Sequence, residues 1–248
     1  MNKEKNQANE ITFITNINES LANAIRRSAN EILSAAIDEV EIYKNDSALF
    51  DEIIAHRIGL IPLKPSRELE ELKEEGKNSN KNEIQVSLKA IGPTMVYSGN
   101  LMGDIKVIYD KMPIVLLSKG QELELIGFVR VGKGINHAKF SPGLVYYRHI
   151  SELKVKNSEK ANAVIDKLKG SILNFQKSGV KSGDIFKFIE DIDYLETLNK
   201  NKEIFEVKEG NEIVFSVESW GQIPAKDILN ESVTTLNNNL KEILKAVK

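Results

Sequence analysis

The side chains able to do chemistry are few, and their spacing is uninformative for most reactions. Asp51, Glu52 and His56 fall on one predicted short helix. A carboxylate–His site around Glu52 and His56 is the enzymatic arrangement they offer, but Asp51 to His56 is not the spacing of a zinc-binding His pair on a helix. Gly132-Lys133-Gly134-Ile135-Asn136-His137 resembles a phosphate loop only in its glycines. It lacks the Gly-Lys-Ser/Thr ending and no helical pattern follows at once. No Gly-x-Ser-x-Gly elbow occurs. The three His residues lie far apart and there is no Cys, which removes disulfides, thiolate metal sites, iron–sulfur ligation and a Cys nucleophile. No catalytic, cofactor-binding or metal-binding set emerges.

Nucleic-acid binding finds no better support. The 34 basic and 36 acidic residues nearly cancel, and the aromatics, 6% of the chain, do not interleave with basic clusters. Direct sequence-specific DNA binding is therefore not expected. Arg26 and Arg27 make a local basic pair on the predicted side of a helix opposite its apolar stripe. Apolar runs such as Pro113–Leu117 are too short to span a bilayer, and the polar start of the sequence has no signal-peptide core. The expectation is a cytoplasmic protein without membrane association.

These residues are carried by an α+β pattern. Ile11–Thr15 reads as a strand, and Asn18 or Ser20 caps a following helix whose face carries Leu21, Ala24, Ile25, Ser28, Ile32 and Ala36. Glu39–Tyr43 alternates as a strand. Leu49–Ile58 reads as a helix stopped by Gly59. A charged bridge covers 67–83. Strands are then predicted at 84–90, 95–97, 105–109, 114–117, 123–131 and 144–149. Helical stripes follow at Ala161–Phe175 and at Ile185–Leu195. Two strands, 204–207 and 213–217, are joined as a hairpin through Lys208-Glu209-Gly210-Asn211.

The C-terminal segment carries the strongest physical signal. Leu229, Val233, Leu236, Leu240, Ile243 and Val247 are spaced alternately by four and three, a narrow seam of the coiled-coil kind. Burying six such side chains offers on the order of 10 kcal/mol gross. The pattern alone leaves two readings open: packing on the chain's own sheet, or pairing with another helix, including that of a second copy.

An ordered set of segments resembles the alpha-type RNA polymerase subunits. Leu21–Arg27, Ala36–Tyr43, Asp51–Leu63, Gly120–Leu123, Gly132–Pro142 and Phe215–Pro224 follow that family's order. Together they look like the archaeal branch of the family, the D-type chains of archaeal DNA-directed RNA polymerase, related to the eukaryotic third-largest subunit and bacterial alpha. The resemblance implies a non-catalytic assembly role. It implies a discontinuous dimerisation domain from 1–45 and 211–248, an inserted mainly-β domain over 46–155, and a small ferredoxin-like α/β insert over 156–210. It further implies a heterodimer with a smaller subunit L through Leu21, Ile25, Ile32, Leu229, Val233, Leu236, Leu240, Ile243 and Val247. That pair would be the platform for subunits N and P and the large catalytic subunits. Arg26, Arg27, His56, Arg57, His137 and Lys139 become candidate contacts to a large subunit.

Two departures stand out. Many of the archaeal D-type chains hold iron–sulfur clusters in a Cys-rich insert, and this one has no Cys there, so the insert is expected to fold on apolar packing, without a cofactor. Trp220 stands where a smaller or polar residue is usual in the family.

Overall fold

The computed structural model describes residues 5–66, 69, 84–103, 105–168, 172, 179–188, 195, 197, 199 and 203–247. The fold is α+β, as expected, with four helices among the described residues. It divides into two units, Met1–Asn23 with Val145–Ser216, and Ala24–Leu144 with Val217–Lys248.

The first unit is organised by a five-stranded sheet. Strands β1 (Lys5–Gln7), β2 (Glu10–Thr15), β9 (Gly143–Val155), β10 (Ile185–Phe188) and β11 (Phe205–Ser219) lie in the order β1-β2-β11-β9-β10. Strand β2, near the start of the chain, thus lies beside the late strand β11. The Phe13 and Phe215 rings sit 5.6 Å apart, and the Thr12 and Ser216 hydroxyls are hydrogen-bonded at 3.1 Å. Helix α3 (Ser158–Leu168) lends Ala161, Ile165 and Leu168 to a small core with Leu153, Val155, Phe186, Phe188 and Phe205.

The second unit is built on the sheet β3-β8-β4-β6, formed by β3 (Leu33–Asn45), β4 (Gln85–Ile91), β6 (Met102–Gly103) and β8 (Glu122–Lys133). A separate ribbon pairs β5 (Thr94–Tyr97) with β7 (Pro113–Leu117). Strict alternation along β4 and β8 sends Val86, Leu88, Leu123, Leu125 and Val129 into one core, where Ile54 and Ile58 of α2 (Asp51–Gly59) join them. The C-terminal helix α4 (Ala225–Ala246) completes the unit.

Several local expectations are corrected. Helix α1 (Glu19–Ser28) stops where a 3-10 turn begins at Ala29, so Ile32 and Ala36 are not on it. Their spacing matched a helix only because Ile32, which caps the 3-10 turn, and the buried Ala36 of β3 happen to continue the series. Gly59 is the last residue of α2 and not a left-handed stop; a Cβ there would meet the Ile37 carbonyl at 3.2 Å, so glycine lets helix and strand approach. Residues 105–109 hold only an isolated bridge from Val107 to Leu63. Ile185–Phe188 is strand, and Ile172 bridges Phe188 instead of extending a helix. The hairpin at 208–211 is instead the middle of one fifteen-residue strand, β11. The bridge 67–83 lies outside the described residues, apart from the buried Leu69, as do Phe175, Ile189 and Ile192.

Candidate assembly interface

Helix α4 has two apolar faces, and only one is used by the chain's own fold. Ala225, Ile228 and Ser232 are buried, and Asn239, two turns beyond Ser232 on the same face, donates to both carboxylate oxygens of Glu31 at 3.1 and 3.2 Å. At 3.6 residues per turn the seam is centred about 70° around the helix from that face. Leu229 and Leu236 are half-buried, while Val233 is 39%, Leu240 50%, Ile243 58% and Val247 82% exposed. An apolar strip is left bare, and it becomes barer toward the C-terminus. Leu244, 63% exposed, widens it beyond the six seam positions. A strict four-three template passes over Leu244; its four-residue step from Leu240 was the available signal.

The strip's expected partners on the first helix divide. Asn18 caps α1, its carboxamide oxygen accepting from the Leu21 amide at 2.8 Å. Leu21 is exposed and Ile25 half-buried. Ile32 is 3% exposed, sheltered within this chain because the 3-10 turn carries it inward.

The polar candidates are also sorted by geometry. Arg26 is half-buried and Arg27 exposed in the last turn of α1, opposite Glu19 in the first, the charge order a helix dipole favours. Arg57 donates to the Ile114 carbonyl at 2.6 Å and so holds α2 to β7. Lys139 is 15% exposed and bound inside the chain: its ammonium lies 2.5 Å from an Asp38 carboxylate oxygen, 3.2 Å from the Asp38 carbonyl and 5.3 Å from the Phe140 ring centroid. His137 is exposed, its Nδ1 accepting from the Lys139 amide at 3.1 Å.

The glycine loop that carries His137 is structural. A Cβ on Gly132 would strike the Phe140 ring at 2.7 Å, and one on Gly134 would crowd Asn30 Oδ1 at 3.0 Å. Near the start of α4, the Gln222 carboxamide donates to the Ala35 carbonyl at 2.8 Å and accepts from Ser34 at 3.1 Å. Gly221 there has φ +98°, which favours glycine. Trp220 donates its amide to the Pro142 carbonyl at 3.2 Å and leaves its indole 43% exposed.

Among the described residues the candidate chemical side chains are not brought together. Glu52 and His56 both stand exposed on α2, and the described residues contain no group of three or more His, Cys, Asp or Glu side chains placed to hold a metal ion. The iron–sulfur clusters of the resemblance do not fit this chain either. There is no thiolate, and Leu153, Val155, Ala161, Ile165, Leu168, Ile172, Val180, Phe186, Phe188, Leu195, Ile204 and Phe205 pack the insert region as an apolar core.

An apolar strip left bare on a helix whose other face is packed marks a surface for a protein partner. The RNA polymerase Rpb3/RpoA insert domain family model matches residues 40–145. The DNA-directed RNA polymerase subunit Rpo3 of Pyrococcus horikoshii is 36% identical over 242 residues, 94% of this chain and 91% of the relative. The Rpo3 of Thermococcus kodakarensis is 34% identical, covering 90% and 88%, and that of Archaeoglobus fulgidus 30%, covering 96% and 94%. The chain belongs to the archaeal Rpo3 family of DNA-directed RNA polymerase subunits, the D-type chains of the sequence resemblance. The family's role is assembly, and the alternative of a free-standing enzyme at Glu52 and His56 is set aside. No helix among the described residues is long and apolar enough to cross a membrane.

Proposed function

We propose that this chain pairs with the smaller subunit L through the bare strip of α4 and that the pair is the platform on which subunits N and P and the large catalytic subunits gather in the cytoplasm. The observation carrying this reading is the exposure of Leu240, Ile243, Leu244 and Val247 together on one side of a helix whose other face is already packed. Leu21 and Ile25 of α1 are proposed as further contacts to subunit L. The dimerisation domain comprises 1–45 and 211–248, with 46–155 and 156–210 inserted. Two juxtapositions support that return of the chain: β2 beside β11 in one unit, and the Glu31–Asn239 contact in the other. The large-subunit contacts are drawn from Arg27, His56 and the His137 tip, with Arg26, Arg57 and Lys139 acting indirectly through ties inside the chain.

Co-expression with subunit L tests the pairing. The two chains are expected to co-elute as a heterodimer, and Leu240→Asp is expected to abolish co-elution while the chain keeps its circular dichroism, since Leu240 is half exposed already. Co-elution of Leu240→Asp at the wild-type level would remove the strip from the interface.

A further inference from the structure

Resting on the pairing reading above, we infer that the α4 strip chooses its partner by apolar shape alone and takes a helix whose facing edges are uncharged. The argument is the charge pattern around the strip. If Leu229, Leu236 and Ile243 are one core row of a seam and Val233, Leu240 and Val247 the other, the positions flanking that seam are Asn230, Asn237 and Leu244 on one side and Ser232, Asn239 and Ala246 on the other. These are the positions where paired helices ordinarily place the Glu and Lys side chains that set partner and register by ion pairs. None of the six is charged. Of the charges of α4, Asp227, Glu231, Lys241, Glu242 and Lys245 fall on the far side, about a third of a turn or more from the seam, and Lys226, in the first turn, continues the Val233 row before the six seam positions begin.

The two flanks are also unequal. Ser232 and Asn239 lie toward the chain's own core: Ser232 is buried and donates to the Ile228 carbonyl at 2.6 Å, and Asn239 is held by Glu31. Only the Asn230–Asn237–Leu244 flank is open to a partner, and at its distal end Leu244 turns a two-row seam into a three-row patch with Leu240 and Ile243. The partner therefore makes its broadest contact over the last two turns. It meets carbon and carboxamide there, and a charge on its facing edge would be desolvated without a counter-ion.

The experiment titrates the purified full chain with subunit L by isothermal calorimetry at about 0.05 M and about 0.5 M NaCl, a range over which exposed ion pairs are strongly screened. The dissociation constant is expected to change by less than about threefold. Leu244→Ala, at an exposed position the fold does not use, is expected to weaken pairing by at least about tenfold. Asn237→Glu is expected to weaken it too and to make it salt-dependent. Weakening of the wild-type pair by about tenfold or more in high salt, or wild-type affinity in Leu244→Ala, overturns the inference while leaving the pairing intact. No complex at either salt overturns the pairing reading itself.

Discussion

Asn199 shows how one side chain can replace a cross-link. It is 6% exposed, yet its carboxamide is satisfied: Nδ2 donates to the Phe205 carbonyl at 2.9 Å, and Oδ1 accepts from the Ile204 and Phe205 amides at 3.1 and 3.0 Å. Asn199→Ala would strand buried backbone groups, and a loss of about 2 kcal/mol or more is expected in urea unfolding; a change below about 0.5 kcal/mol would show that water replaces the carboxamide. Beside it, Lys160 of α3 pairs with Glu203, holding that carboxyl below its ordinary 4.5, first by the hydrogen bond and then by the ammonium charge. A lowered folded value stabilises at pH above the unfolded value and loses that contribution as pH falls through the folded one. Both groups are more than half exposed, so the effect is small. Melting temperature followed from about pH 6 to about pH 3 should fall slightly less steeply in Glu203→Gln than in the wild type, and identical slopes would show the pair contributes nothing. Neither role was legible in the sequence. An Asn between apolar segments reads as loop, and the fate of Lys139 depended on Asp38, 101 residues away.

Elements were legible where one periodicity ran without competition. The alternation of β4 and β8 and the seam of α4 follow directly from which side chains must leave water. The errors share a cause: a local signal with two physical meanings. Gly210 beside Asn211 has turn chemistry, but in β11 the glycine lets β9 come close, a Cβ there meeting the Ile150 carbonyl at 2.8 Å. Gly210→Ala is thus expected to push the two strands apart and destabilise the chain by roughly 1–3 kcal/mol, read from thermal unfolding. A neutral or stabilising result would show that β9 does not approach Gly210 that closely. In the same way Ile32 and Ala36 extended the spacing of α1 into what is a 3-10 turn and a buried strand. The strip itself was visible in the sequence, but whether it was covered was not, because that depends on which face Ala225, Ile228 and Ser232 had already committed.

At the scale of the molecule, membership in the Rpo3 family explains why so many side chains with chemical character serve the backbone instead. Arg57 holds a strand, Lys139 a loop, Gln222 a helix start, and the glycine loop is shaped by Phe140 and Asn30. A platform needs contact surfaces fixed in register with its own fold, and these internal ties supply that stiffness. What remains unspent marks the outward surface. Of the basic pair on α1, Arg27 is the exposed member, whereas Arg26 is half-buried and already engaged. A guanidinium presented on a rigid helix suits carboxylate or carbonyl groups of a large neighbour. Arg27→Ala is therefore expected to leave pairing with subunit L unchanged and to weaken recruitment of a large catalytic subunit in a pull-down from the reconstituted subunits by roughly tenfold. Arg27→Lys, which keeps charge but loses the fork, should fall between the two. Arg26→Ala should instead lower the chain's melting temperature. Unchanged recruitment by Arg27→Ala would place the large-subunit contact elsewhere, at His56 or the His137 tip, where His137→Ala in the same pull-down would show it.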